Sequence, residues 1–170
     1  MVTVPDPRLQ VLTELSQSKK TVPAIIEFVD IAGLVRGASE GQGLGNQFLQ
    51  HIRETDAIAE VVRIFEDSDI THVEGEIDPV RDIEIINLEL VLSDLQTVSK
   101  RLVSVERDVK RGDKESVFEQ DVLKKLDATL SGGRLASSTG LSAEEKHAIR
   151  GLQLLTMKPV LYVLNTKSGS

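Results

Sequence analysis

The chain has 170 residues, 40% hydrophobic and 28% charged, with a net charge of −7 and no cysteine. That length suits one domain with a real core, the acidic balance argues against a general nucleic-acid glue, and disulfides and thiolate metal sites are excluded. Aromatics make up only 3%, with no tryptophan, which disfavours a stacking platform for single-stranded nucleic acid and leaves the core to Ile, Leu, Val and Ala.

In chain order, "VTVPDPRL" mixes a short β-prone piece with Pro5 and Pro7, which restrict Val4 and Asp6 to extended geometry: an edge strand or a loop. No basic start and apolar core mark a signal peptide there, and no apolar run approaches bilayer length, so no membrane partner and a cytoplasmic location are expected. Leu9, Leu12 and Leu15 have helical spacing. "PAIIEFVDIA" reads as a buried strand bounded by Pro23 and Gly33. After it come Gly33, Gly37, Gly41, Gly43 and Gly45, and then a helical pattern with Phe48, Leu49 and Ile52. "AIAEVVRIF" reads as a second strand, followed by an acidic loop.

From Asp82 the pattern changes. Val91, Leu95, Val98, Leu102, Val105 and Val109 alternate gaps of four and three, a heptad seam on one long helix. Gly112 in "KRGDK" suits the residue just past a helix end. "KESVFEQDVLKKLDATL" is a second helix, with Val122, Leu126 and Leu130 on one face, and the pair forms an antiparallel helical hairpin. Ser131 to Gly140 reads as a loop. Ser142 and Glu145 form a capping box opening a helix, and "KPVLYVLNT" reads as a third buried strand. Such alternation implies an α/β fold with a parallel sheet.

Open α/β sheets build ligand sites at the C-terminal ends of their strands, where this chain carries Asp30, then Phe65, Glu66 and Asp67, then Asn165. In "DIAG" the Asp30 carboxylate suits a Mg²⁺-bound water, and the Gly33 N–H can approach a terminal phosphate. No GxxxxGK[ST] phosphate loop is present, and GxGxxG fails because Asn46 follows Gly41-x-Gly43 where the last glycine belongs. His51, His72 and His147 are isolated, so no histidine metal site is expected.

"VPDPRL", "KTVPAIIEFVDIAGLVRGASEGQGLGNQFL", "RIFEDSDITHVEGEIDPVRDIEIINLEL" and "LLTMKPVLYVLN" together resemble the YchF/Obg-like ATPases, a branch of the P-loop GTPase class. The resemblance runs from near Val2 to Asn165. It implies a partial P-loop NTPase sheet carrying an inserted helical hairpin, with nucleotide-domain parts at 1–81 and 131–170 around a coiled-coil insertion at 82–130. It also implies slow hydrolysis of ATP or GTP with Mg²⁺ and association with the ribosome or RNA. Asp30, Ile31, Ala32 and Gly33 would form the third nucleotide motif, with Asp30 supporting Mg²⁺ through water. Phe65 resembles a residue beside the nucleotide, although a core aromatic fits it equally well. Asn165 and Thr166 resemble the start of the base-reading motif. Leu34 stands where classical GTPases place the catalytic glutamine, and Ser39 where some members carry a histidine. Lys100, Arg101, Arg107, Lys110 and Arg111 are the hairpin cations that could meet RNA, interleaved with acids.

The departures from the family pattern are the phosphate loop, the switch threonine and a C-terminal TGS-type domain, none of which is found. The base motif reads "NTKS", with Ser168 at the acidic position. The chain is therefore expected to be an internal fragment, inactive alone. It is also expected to be poorly stable or aggregation-prone, unless a homodimer or a different packing fills the gap, because the strand that would lie between the first and second apolar strands is missing. The alternative is a non-catalytic ribosome or RNA interaction module built on the hairpin. Oligomeric state is not legible.

Overall fold

A computed structural model of the chain describes residues 1–31, 44–65 and 78–167. It divides into two compact units, Met1–Ala32 and Gly33–Ser170.

In the first unit, β1 (Val2–Thr3) pairs antiparallel with β2 (Ile25–Ile26), Val2 opposite Ile26, and α1 spans Arg8–Ser16. Asp6 holds the helix start: its carboxylate accepts from the Arg8 amide at 3.0 Å and from the Arg8 guanidinium at 2.6 Å. Arg8 keeps that carboxyl below its ordinary range. The end of α1 is closed by Gln17 in the left-handed region, with Ser18 N–H donating to Thr13 and Gln17 N–H to Glu14. The expected buried strand is not found: β2 is two residues long, and Ile25, Ile26, Phe28 and Val29 are exposed. An apolar run is buried only by neighbours on both faces, and β2 has one short antiparallel partner.

In the second unit, α2 (Leu44–Arg53) leads into β3 (Ile58–Arg63). The long α3 (Pro79–Lys110), α4 (Lys114–Ser131) and the short α5 (Ala143–Ala148) follow, and β4 (Val160–Asn165) closes the chain order. β3 and β4 pair in parallel, Ile58 opposite Val160 through Arg63 opposite Asn165. One face of this pair meets α3: Val62 and Glu60 are buried, and the Asn87 amide approaches the Tyr162 hydroxyl at 3.4 Å. The opposite face, carrying Val61, Leu161 and Val163, is exposed. β4 is thus not the buried strand its composition suggests: it has one ladder partner among the described residues, and Tyr162 and Leu164 on its α3 side are exposed as well.

α3 begins earlier than the heptad seam. Asp78 caps it by accepting from the Arg81 amide at 3.1 Å, and Pro79 takes the first helical position, where no N–H is needed. Of the seam residues, Val91, Val98 and Val105 are fully buried, while Leu95, Leu102 and Val109 are partly buried against the same cluster. α3 ends where Gly112 adopts φ +80. Gly112 N–H then reaches Val109, and Asp113 N–H reaches Asp108, which satisfies two orphan carbonyls. Asp113 at once caps α4, accepting from Ser116 at 2.8 Å. α4 returns along α3: the Arg101 guanidinium forks onto Glu119 at 2.7 Å for both bonds, and Ser99 reaches Asp127 at 3.5 Å.

The core is completed by the chain after α4. Ala136, Leu141, Ile149 and Leu154 join Val122, Leu123, Leu126 and Leu130. Ser131 to Gly140 is not wholly loop, since Ala136–Thr139 forms a 3-10 turn with Ala136 buried. The capping box at α5 is present, with Ser142 and Glu145 exchanging bonds of 2.8 and 3.2 Å. Lys125 bonds Glu145 at 2.5 Å and holds its carboxyl below the ordinary range. The helix stops at Ala148, and the chain continues in 3-10 turns at Arg150–Leu152 and Leu155–Met157, with Gln153 at φ 47 between them.

Candidate functional site

β3 and β4 are parallel and in register, so their C-terminal ends lie together. Arg63 stands opposite Asn165, and the Ile64 N–H continues the ladder by donating to the Asn165 carbonyl at 3.1 Å. Beyond that point the chain leaves the sheet. Its carbonyl at Phe65 accepts from Arg63 Nε at 2.9 Å, and the Arg63 guanidinium lies 4.8 Å from the centre of the Phe65 ring. A cation over an aromatic face is attracted by the ring's quadrupole. Arg63 therefore holds both the backbone and the ring of Phe65. Phe65 is half-buried, and Asn165 and Thr166 are exposed. Two neighbouring strand ends thus present an amide, a hydroxyl and a braced aromatic ring, donors and an apolar plate of the kind that reads a planar heterocycle.

Asp30 and Ile31 end the described part of the first unit, with Asp30 exposed. Ala32, Gly33, Leu34 and Ser39 lie outside the described residues. Among the described residues no group of three or more His, Asp or Glu side chains could hold a metal ion. A protein-only cage is not found there. One exposed carboxylate fits a Mg²⁺ that keeps several waters and takes its remaining ligands from substrate phosphates.

Sequence reasoning missed Arg63, although a cation two residues before an aromatic at a strand end was there to be read. It also missed Asp94. This carboxylate on α3 is fully buried and accepts from Leu155 N and Thr156 N, each at 2.8 Å, and from the Thr156 hydroxyl at 2.6 Å. Burial outweighs those bonds and holds its carboxyl above the ordinary range. The signal was an acid three residues after Val91 and four before Val98, inside the apolar stripe.

Residues 8–98 match the family model described as 50S ribosome-binding GTPase. The chain belongs to the YchF/Obg-like branch of this GTPase family. It is 53% identical over 165 residues to the ribosome-binding ATPase YchF of Bacillus subtilis, covering 97% of this chain and 45% of that protein. It is 44% identical over 170 residues to Obg-like ATPase 1 of Saccharomyces cerevisiae, covering 96% of this chain and 43% of the relative. The solved Schizosaccharomyces pombe YchF GTPase superposes with a TM-score of 0.77 at 40% identity, over 98% of this chain and 46% of that one. The chain spans about half the length of the curated relatives it matches. An α/β arrangement of the P-loop GTPase type is the fold common to family and neighbour.

Proposed function

We propose that this chain supplies the switch segment, the base-reading strand end and an inserted antiparallel helical hairpin of a cytoplasmic, ribosome-associated ATPase or GTPase. The observation that supports the reading is the register of β3 and β4, in which Asn165 stands opposite Arg63, the residue that braces Phe65. In this reading Phe65, Asn165 and Thr166 contact the base. The Asp30–Gly33 stretch meets Mg²⁺ through the Asp30 carboxylate and the terminal phosphate through Gly33. Leu34 in place of a glutamine leaves no side chain there to orient the attacking water, so hydrolysis is slow; Ser39 has a hydroxyl but no basic nitrogen to replace it.

The 170 residues contain no GxxxxGK[ST] to cradle the β- and γ-phosphates. Titration with fluorescent ATP and Mg²⁺ is therefore expected to show no micromolar binding by this chain. A polypeptide extended to the length of the relatives is expected to bind. Tight binding by the 170-residue chain refutes the division of labour. Failure of the extended form refutes the nucleotide reading.

A second reading rests on the helix pair. Arg101, Lys110 and Arg111 are engaged by Glu119, Glu106 and Asp108. Lys100 and Arg107 have no ion-pair partner among the described residues and remain for an anionic partner such as ribosomal RNA. Co-sedimentation with ribosomes in the absence of nucleotide, lost on K100E/R107E, would support an interaction module. Sedimentation insensitive to that double reversal would remove it.

A further inference from the structure

α2 is the helix that directly follows the glycine-rich segment, and its last residue, Arg53, is tied in an unusual way. One guanidinium nitrogen donates to Ser93 Oγ at 3.0 Å and to Thr97 Oγ1 at 3.1 Å, both on α3. The other donates to the Gln153 carbonyl at 3.4 Å. Next to Ser93 on α3, Asp94 grips the amides of Leu155 and Thr156. From that same strip of chain Lys158 returns to α2, its Nζ donating to the Arg53 carbonyl at 3.1 Å and to the Thr55 carbonyl.

The bonds close a ring, from the end of α2 to α3, from α3 to the 153–158 strip, and from that strip back to α2. Arg53 and Lys158 are the two cations in it, and Asp94 is its buried anion, with Arg53 close enough for its charge to favour the carboxylate. Arg suits this place because its planar fork addresses three acceptors in fixed directions, which an ammonium cannot do. Helices α3 and α4 share one core with the strip, so whatever moves the end of α2 pulls on the helix pair through these polar bonds.

We propose that this ring is a mechanical joint that makes the end of α2 and the α3–α4 pair shift together. A nucleotide as the source of such a shift rests on the reading above; the joint does not. Arg53 is its positioning residue, acting through Ser93, Thr97 and Gln153.

Amide hydrogen exchange followed by mass spectrometry tests the joint in this chain without nucleotide. S93A/T97V removes two acceptors of a charged donor, so exchange in the last turn of α2 rises about tenfold, although neither substitution lies on α2. Arg53→Met produces a similar rise in the 155–158 strip, by reciprocity. Combining the two adds little, because both break one interaction. Arg53→Lys restores part of the protection. α5 lies outside the ring and keeps its rates. Acceleration confined to the substituted element, or spread equally into α5, overturns the proposal. Should R53M fail to fold, S93A/T97V decides alone. In a form extended to the length of the relatives, Mg²⁺ with ATP is expected to slow exchange around 93–98, and S93A/T97V to abolish that response at unchanged ATP affinity. Absence of ATP binding there sinks the nucleotide reading and leaves the joint to be judged by the first measurements. A response retained in the variant overturns the joint.

Discussion

Glu60 is a carboxyl in the wrong place for a charge. It lies on the α3 side of β3, 8% exposed, and Oε1 has no hydrogen-bond partner among the described residues. Burial, and then the negative charge of Asp82 at the start of α3, push its pKa from an ordinary 4.5 up to about 7. The folded chain therefore holds this proton over a range in which the unfolded chain has released it. Stability from this group is complete below about pH 4.5 and is lost as the pH rises to about 7. Raising the pKa from 4.5 to about 7 corresponds at the limit to about 3 kcal/mol. Water at this partly exposed strand pair screens part of this, and about 1–2 kcal/mol is expected.

Glu60→Gln keeps the shape and removes the titration. Urea unfolding followed by far-UV circular dichroism, repeated from about pH 4.5 to about 8, should show parent and variant together at the acid end. The variant should be the more stable by about 1–2 kcal/mol at the alkaline end. The comparison isolates Glu60, since every other titrating group is common to both chains. Parallel curves across the whole range, with a constant offset, would refute the reasoning.

Other perturbations have signs set by the same structure. Leu126→Ala removes a side chain with 0% exposure from the shared core and should cost about 2–5 kcal/mol in urea unfolding. Thr156→Val deletes the donor to Asp94 and the acceptor of the Ala136 N–H at 3.0 Å, so a loss of about 1–3 kcal/mol is expected in the same assay. Two left-handed positions should respond in opposite directions in thermal melts. Gly112→Ala, at φ +80 with open space around the added carbon, loses about 1 kcal/mol from backbone strain alone. Gln153→Gly, at φ 47, gains about 0.5–1 kcal/mol.

Local rules were legible where a side chain acts on its own turn. Gly112 past the end of α3 and the Ser142–Glu145 box mark helix ends through chemistry within four residues, whereas the Asp78–Pro79 start of α3 lay in a stretch read as acidic loop. The seam at Val91, Val98 and Val105 was legible for a related reason, since periodicity states which face is buried even when the cover is unknown. It could not state that the cover includes Ala136, Leu141 and Ile149, which lie in a stretch without period. The burial of β2 and β4 was misjudged because a strand's second face depends on other strands, not on its own Val and Ile content. At the candidate site, Phe65 and Asn165 were legible as strand ends. Their adjacency needed the β3–β4 register, and the brace from Arg63 needed the turn after β3. Asp94, Thr156, Arg53 and Lys158 speak to one another across long stretches of chain, beyond the reach of any spacing rule.

The parallel pairing of β3 with β4 also sets an order of events. Joining Ile58 to Val160 closes a loop of about 100 residues, whereas α3 and α4 meet across a turn around Gly112. Loop-closure entropy opposes the first contact far more than the second. The helix pair and its 136–155 cover should therefore assemble early, and the strand ends bearing Phe65 and Asn165 should come together last. Stopped-flow folding of Val62→Ala should then show an unchanged folding rate and faster unfolding, while Leu126→Ala should slow folding. By this order the edge where β3 and β4 end is the late, reversible part of the molecule, laid down on a helical base already formed.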